Sequence, residues 1–137
     1  MENKVFLSYD TADKEWVDKL KESLRKMGVQ LFDPSTDILP GQVWANAFEE
    51  AFFQSEYVII IVTPDSLPSS GVNFGMGAAL SAKKKLIPIV SSKLSDSELP
   101  FPLRRWVQLR MEDDVEEIAR KIHQAVASES EREPATA

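Results

Sequence analysis

Short apolar runs alternate with amphipathic stretches along almost the whole chain. Residues 4–9 form a β-branched and aromatic run and predict a first strand. Thr11 has the character of a helix cap, and Asp13 and Glu15 follow where a helix dipole favours acids. Val17, Leu20, Leu24 and Met27 recur at helical spacing, and Gly28 is placed to end that helix. Residues 29–32 predict a second strand. The stretch 33–41 is turn chemistry around the apolar pair Ile38 and Leu39. Trp44, Ala47, Phe48, Ala51 and Phe52 then mark the inner stripe of an amphipathic helix, with Asn46, Glu49 and Glu50 on its solvated face.

Residues 57–63 are apolar towards both faces, as expected of a central strand covered on both sides. Pro64, Asp65 and Ser66 end it, residues 68–71 form a loop, and the small-residue segment 72–84 predicts a helix despite its glycines. Residues 86–90 predict a fourth strand, whose Pro88 suits an edge or irregular position. A long loop over 91–105 contains Pro100 and Pro102, and 106–110 predicts a short fifth strand. Val115, Ile118, Ala119, Ile122, Ala125 and Val126 give a last helix its buried stripe. From Ala127 onward nothing larger than alanine is apolar. The expected organisation is therefore one domain over 1–127 and a disordered tail or linker over 128–137.

Strands alternating with helices predict a parallel sheet with helices on both faces. Five strands of this length point to a flavodoxin-like, three-layer α/β fold with strand order 2-1-3-4-5. Ligands and partners of such sheets meet the loops at the carboxyl ends of the strands, here 8–13, 33–42, 63–74 and 91–105.

Composition narrows the chemistry. The 137 residues carry 16 basic and 22 acidic side chains, and a net charge of −6 argues against a nucleic-acid-coating role. The absence of cysteine removes disulfides, thiolate metal sites and a cysteine nucleophile. With His123 as its lone histidine the chain offers no histidine-rich metal site, and a surface position is expected for it. The longest aliphatic run, 58–62, is too short to cross a bilayer, and the first residues carry no secretory pattern. A soluble, cytoplasmic domain with no membrane partner and no bound metal is expected. Trp16, Phe52, Phe53 and Trp106 read as core or half-buried packing residues, and Lys83, Lys84 and Lys85 as a solvated helix end.

Motifs for common α/β chemistries are missing. The first loop, from Ser8 to Asp13, has no glycine, so no dinucleotide fingerprint follows the first strand, and there is no P-loop. Gly75 and Gly77 follow no strand directly. A phosphoacceptor domain would want an aspartate ending the third strand and a lysine ending the fourth, where Thr63-Pro64 and Val90-Ser91 stand.

A succession of segments nevertheless has a family character. Val5-Phe6-Leu7-Ser8-Tyr9 with Asp13 is followed by Gly28-Val29, Leu31-Phe32-Asp33, Leu39-Pro40-Gly41 and Trp44. Ser55, then Tyr57 to Pro64, then Ser66-Leu67 come next. Ser70, Val72, Phe74, Gly77-Ala78-Ala79-Leu80 and finally Lys85 to Val90 complete the set. In this order and spacing they resemble the Toll/interleukin-1 receptor (TIR) domain, closest to its bacterial-type members, over about residues 4–126.

The resemblance implies two modes of action. One is self-association or recruitment of other TIR domains through the loop after the second strand, matched here by Asp37, Ile38, Leu39, Pro40 and Gly41. Its apolar pair either forms a contact surface or tucks back over Trp44. The other is cleavage of NAD at its nicotinamide–ribose bond, giving ADP-ribose or a cyclic variant. In the enzymes a glutamate near the start of the third helix faces the ribose, where a carboxylate stabilises oxocarbenium-like charge. The family pattern Phe-Glu-x-Gly-Ala-Ala-Leu is matched by residues 74–80, but Gly75 occupies the glutamate position and Gly71 that of a frequent tryptophan. The resemblance thus implies a signalling or immune-defence domain with weak or absent hydrolysis. The alternative is a nicotinamide-releasing NAD glycohydrolase, or an inactivated variant of one. Asp65 is the substitute carboxylate in that case, or else a plain turn former after Pro64. NAD is the implied ligand, and Ser8, Tyr9, Asp10, Asp33, Leu39, Trp44, Ser66 and Phe74 are the implied contacts. Asp33 either holds ligand hydroxyls or is an ordinary residue of a turn before proline. Implied partners are other TIR domains and a further domain or effector protein.

Overall fold

In the computed structural model, which describes residues 4–132, five parallel strands form one sheet of order β2-β1-β3-β4-β5. The strands are β1 (Lys4–Ser8), β2 (Gln30–Phe32), β3 (Ser55–Val62), β4 (Lys85–Val90) and β5 (Leu109–Arg110). The helices are α1 (Lys14–Lys26), α2 (Pro34–Asp37), α3 (Trp44–Gln54), α4 (Ser70–Ser81) and α5 (Val115–Arg132). The flavodoxin-like, three-layer α/β architecture expected from the alternation is the one observed.

The strict period of two in a strand divides β3 between two cores. Tyr57, Ile59 and Ile61 join Val5, Leu7 and Ile89 beneath α1 and α5, which supply Val17, Leu20, Leu24, Ile118 and Ile122. Val58, Ile60 and Val62 join Phe6 and Leu86 on the opposite face, beneath Phe52 of α3 and Val72 and Ala79 of α4. Each fully buried aliphatic side chain contributes roughly 1.5–3 kcal/mol, so the stripe of α1 alone secures that helix. Leu99 and Leu103 anchor the long loop after β4 into the second core, Leu99 just after one short 3-10 turn and Leu103 at the end of another.

Several expectations need correction. β5 is two residues long rather than five, and Trp106 packs half-buried against the second core before the strand begins. Pro88 pairs with Ile60 on one side, but β4 meets β5 only at Ile89 and Val90, so Pro88 lies where no second ladder needs its missing N–H. The stretch after Asp33 is not all turn, because Asp33 caps the four-residue helix α2 with Pro34 at its first position. Thr11 does not cap α1. Asp10 caps a 3-10 turn over Thr11–Asp13, and α1 starts at Lys14. Phe53 is 76% exposed, turned out of the core that takes Phe52, with the Lys84 ammonium over its ring. Trp44, at the first turn of α3, is more than half exposed. α5 continues five residues beyond 127, since no glycine or proline interrupts the chain before Pro134. The rest of the expected tail, 133–137, lies outside the described residues.

α4 ends at Ser81 instead of Lys84 because Lys83 turns into the left-handed region, with φ +58°. The N–H of Lys84 returns to the Ala79 carbonyl at 2.9 Å, closing the helix as glycine usually does. A side chain at that φ costs about 1–2 kcal/mol. Lys83→Gly is therefore expected to stabilise the fold by about 0.5–1 kcal/mol and to raise Tm by a few degrees. A calorimetric melt tests this, and a lower Tm would contradict the strain assigned to Lys83.

Candidate functional site

The carboxyl ends of β1 and β2 face the first turns of α3 and α4 across a cavity of about 230 Å3. Ser8 and Tyr9 come to it from β1, Asp33, Pro34 and Ser35 from the β2–α2 junction, Trp44 and Phe48 from α3, and Gly71, Phe74 and Gly75 from α4. One wall is aromatic. Trp44 stacks on Phe48 with centroids 5.0 Å apart, Phe74 lies 6.0 Å from Phe48, and the buried Phe6 meets Phe48 edge-on at 5.0 Å. Phe74 is 63% exposed, so the wall opens directly to solvent.

The opposite wall is organised by the Asp33 carboxylate, which is fully buried. Its Oδ2 accepts from Lys21 Nζ at 2.7 Å and from the Tyr9 hydroxyl at 2.7 Å. Its Oδ1 accepts from the Ser35 N–H at 2.9 Å and lies 2.7 Å from the Ser35 hydroxyl. Lys21 Nζ also donates to Thr36 Oγ1 at 3.2 Å, and the Asp33 N–H donates to Asp37 Oδ2 at 2.8 Å. Burial pushes the Asp33 carboxyl up, but hydrogen bonds from Lys21, Tyr9 and Ser35 outweigh it and hold the group below its ordinary value. Burial likewise drives the Tyr9 phenol up to about 12; the Ser35 hydrogen bond opposes this and Asp33 adds to it. Tyr9 is thus a neutral hydroxyl at physiological pH and no general base.

Of the residues expected around a ligand, Ser8, Tyr9, Asp33, Trp44, Phe74 and Gly75 meet at this cavity. Asp10, Leu39, Ser66 and Asp65 do not line it. Asp10 accepts from the Ala12 N–H at 2.9 Å. Ser66 is buried and ties off the turn after β3, its hydroxyl accepting from the Thr63 N–H at 2.8 Å. Asp65 opens onto a different cleft of about 670 Å3 with Asp13, Lys93 and Glu112. There Asp13 accepts from the Thr63 hydroxyl at 2.7 Å rather than capping α1 with its side chain. Leu39 is 61% exposed at the tip of the 37–41 loop while Ile38 is half-buried, so the apolar pair is split between solvent and protein. Gly41 turns that loop at φ +94°, which favours glycine.

Gly75 is buried beside Ser8. A Cβ at position 75 would stand 2.9 Å from Ser8 Oγ, whereas one at Gly71 would meet nothing closer than 3.8 Å. A side chain at 75 therefore requires the Ser8 hydroxyl to rotate away, and one at 71 requires no rearrangement. Lys21, Ser35 and Phe48 are the contributors that the sequence reading missed. Lys21 was detectable, for it sits four residues after Val17 and three before Leu24, on the apolar stripe of α1. Among the described residues no cluster of three or more His, Asp or Glu could hold a metal ion, and no helix is long and apolar enough to cross a membrane.

A family model for the TIR domain matches residues 5–123. The chain belongs to the TIR domain family. Similar proteins include the stimulator of interferon genes protein of Magallana gigas, 27% identical over 115 residues, a match covering 80% of this chain and 28% of that protein. A metazoan TIR-STING receptor from C. gigas in complex with 2',3'-cGAMP superposes with a TM-score of 0.73 at 26% identity, over 89% of this chain and 38% of that one. The TIR domain of the Toll-related receptor TRR-2 from Hydra magnipapillata also gives a TM-score of 0.73, at 23% identity, over 90% of this chain and 97% of that one. This TIR domain thus spans well under half of the two C. gigas and Magallana proteins that it matches.

The network around Asp33 makes a signed prediction. A carboxyl with a lowered folded pKa contributes stability above its unfolded value of about 3.9, and that contribution is lost as pH falls through the folded pKa. Lys21→Met leaves the carboxylate buried without its cation, and about 3–5 kcal/mol of stability is expected to go at neutral pH. The deficit narrows towards pH 4, because protonating Asp33 now relieves the variant. Urea titrations of both proteins at neutral and acidic pH measure the gap. A gap that stays constant with pH would show that Lys21 acts by packing alone.

Proposed function

We propose that this TIR domain acts in signalling by assembling with other TIR domains, and that its pocket takes up NAD with little or no hydrolysis. The observation that carries the second half is Gly75. Breaking a glycosidic bond to nicotinamide builds positive charge on the ribose, and a carboxylate in contact with the sugar stabilises it. Here the position that carries this carboxylate in the enzymes has no side chain, and the other carboxylate lining the cavity, Asp33, is already held by Lys21, Tyr9 and Ser35. Asp65 opens onto a separate cleft, which weighs against a displaced catalytic acid.

The assembly half draws on the exposed Leu39 at the tip of a loop pinned at its base by the Asp33–Asp37 contact. Leu39, Val43 and Trp44 are all more than half exposed within six residues of chain, and grouped exposed apolar side chains favour a contact surface. A receptor carrying a TIR part and bound to a cyclic dinucleotide, as in C. gigas, is consistent with a signalling setting. Leu39→Asp is expected to weaken self-association at high protein concentration without lowering Tm. Sedimentation velocity reads this, and an unchanged distribution would remove the loop from the interface.

Nicotinamide release at high protein concentration tests the pocket half, for this chain, Gly75→Glu, and Gly75→Glu combined with Ser8→Ala. The double variant relieves the 2.9 Å approach to Ser8 Oγ. Turnover is expected to appear only with the glutamate, at least about 100-fold above the unmodified chain, as befits a charge-stabilising group. Equal turnover by the unmodified chain would overturn the reading and make Asp65 the next residue to replace.

A further inference from the structure

β2 forms one edge of the sheet and, among the described residues, pairs with β1 alone. Its outer backbone groups are therefore open to another strand, an exposure that folds usually cover with a helix or loop. Here an open groove of about 550 Å3 runs along that edge instead. Residues 29–32 form its floor, Arg25 at the end of α1 stands on one side, and Ala47, Glu50 and Ala51 of α3 stand on the other. Leu31 and Phe32 are only half-buried, each at the margin of a different core, so both faces of the sheet end here incompletely covered.

The charges along the groove are sorted. Lys4 and Arg25 lie at the amino end of β2. Lys4 is the ladder partner of Gln30, and its ammonium donates to Gln54 Oε1, at the end of α3, at 2.6 Å. Asp37 lies at the carboxyl end, where it accepts from the Asp33 N–H. Glu50 is one turn before Gln54, displaced towards that same end. Among the described residues none of these four charges enters an ion pair. A groove that is basic at one end and acidic towards the other complements itself when turned end for end, and a two-fold axis makes that turn.

We propose that two copies of this chain pair their β2 edges antiparallel about a two-fold axis, joining both sheets into one. Lys4 of each copy then lies opposite Glu50 of the other, and Arg25 opposite Asp37. Ala47 and Ala51, one turn apart, keep the α3 wall low where the second strand enters. The proposal rests on the assembly reading above and deepens it, with a surface that does not include Leu39. A three-residue strand offers few ladder bonds, so the dimer belongs to the weak, transient class.

Sedimentation velocity at high protein concentration tests this on the intact chain, Leu39→Asp, Lys4→Glu, Glu50→Lys and an equimolar mixture of the last two. Leu39→Asp is expected to lose species larger than a dimer and to keep the dimer. Each charge reversal is expected to weaken the dimer about 10-fold or more, since the two-fold repeats the like-charge contact. The mixture is expected to regain it, because the two altered positions then face each other and the two unaltered ones do the same. Amide hydrogen exchange at residues 30–32 is expected to slow in the dimer. Dimers that persist in both charge variants, a mixture no stronger than its components, or unchanged exchange at 30–32 would each overturn the edge pairing. Loss of the dimer in Leu39→Asp alone would do so too and leave the loop as the interface. A chain that stays monomeric throughout would remove both.

Discussion

The ion pair between Lys21 and Asp33 joins two elements that would otherwise have no polar reason to meet. Its groups are 6% and 0% exposed and 2.7 Å apart, and each is the other's only charged partner within reach, with Tyr9, Ser35 and Thr36 adding hydrogen bonds. Such a pair adds little net stability over a well-packed apolar one, yet losing either member strands a buried charge. Its structural effect is one of registration. α1 must be rotated so that position 21 faces the end of β2, and the chain leaving β2 must turn where Asp33 can reach inward. Everything attached to Asp33 inherits that placement: Tyr9 after β1, the start of α2 through Ser35, and the base of the exposed loop through Asp37.

This arrangement explains how the pocket keeps a shape while having almost no free charge. The carboxylate at its wall is neutralised from behind by Lys21 and consumed on the pocket side by two hydroxyls. The phenol beside it remains protonated, because burial and the adjoining carboxylate both oppose its ionisation. Among the residues lining the cavity the only carboxylate is therefore this one, already held by its partners. Trp44, Phe48 and Phe74 give the other wall an uncharged aromatic face.

The fold was legible in the sequence wherever a pattern spans enough residues to be periodic. β3 alternates between two cores over the six positions 57–62, α1 and α5 carry full apolar stripes, and the strand order follows from the alternation of elements. Shorter features were misread for a matching reason. Four residues of α2 show no period, although Asp33 followed by Pro34 is a cap and first-turn signature. Two residues of β5 are placed by the ladder with β4 and not by local preference. At the site, the residues that end β1 and open α4 could be placed from the motif. Asp65 and Ser66 could not, because being next to a strand end in sequence says nothing of the side of the sheet on which the following turn falls. Lys21 went unseen because a charge on an apolar stripe reads as noise until its partner is located.

Gly75 has a structural meaning apart from its missing carboxylate. α4 carries glycine at 71, 75 and 77, and each costs a helix about 1 kcal/mol relative to alanine. At 71 and 77 a methyl group would have room, so nothing in the packing requires those glycines. At 75 it would stand 2.9 Å from Ser8 Oγ, so of these three glycines this is the one whose side-chain space is already shared with β1. Fully buried Ala79, one turn later on the same face, continues the close approach. Restoring the glutamate expected in the enzymes therefore also asks the Ser8 hydroxyl to turn aside. The Ser8 hydroxyl and a side chain at position 75 share one side of the cavity, because α4 rests closely on the end of β1.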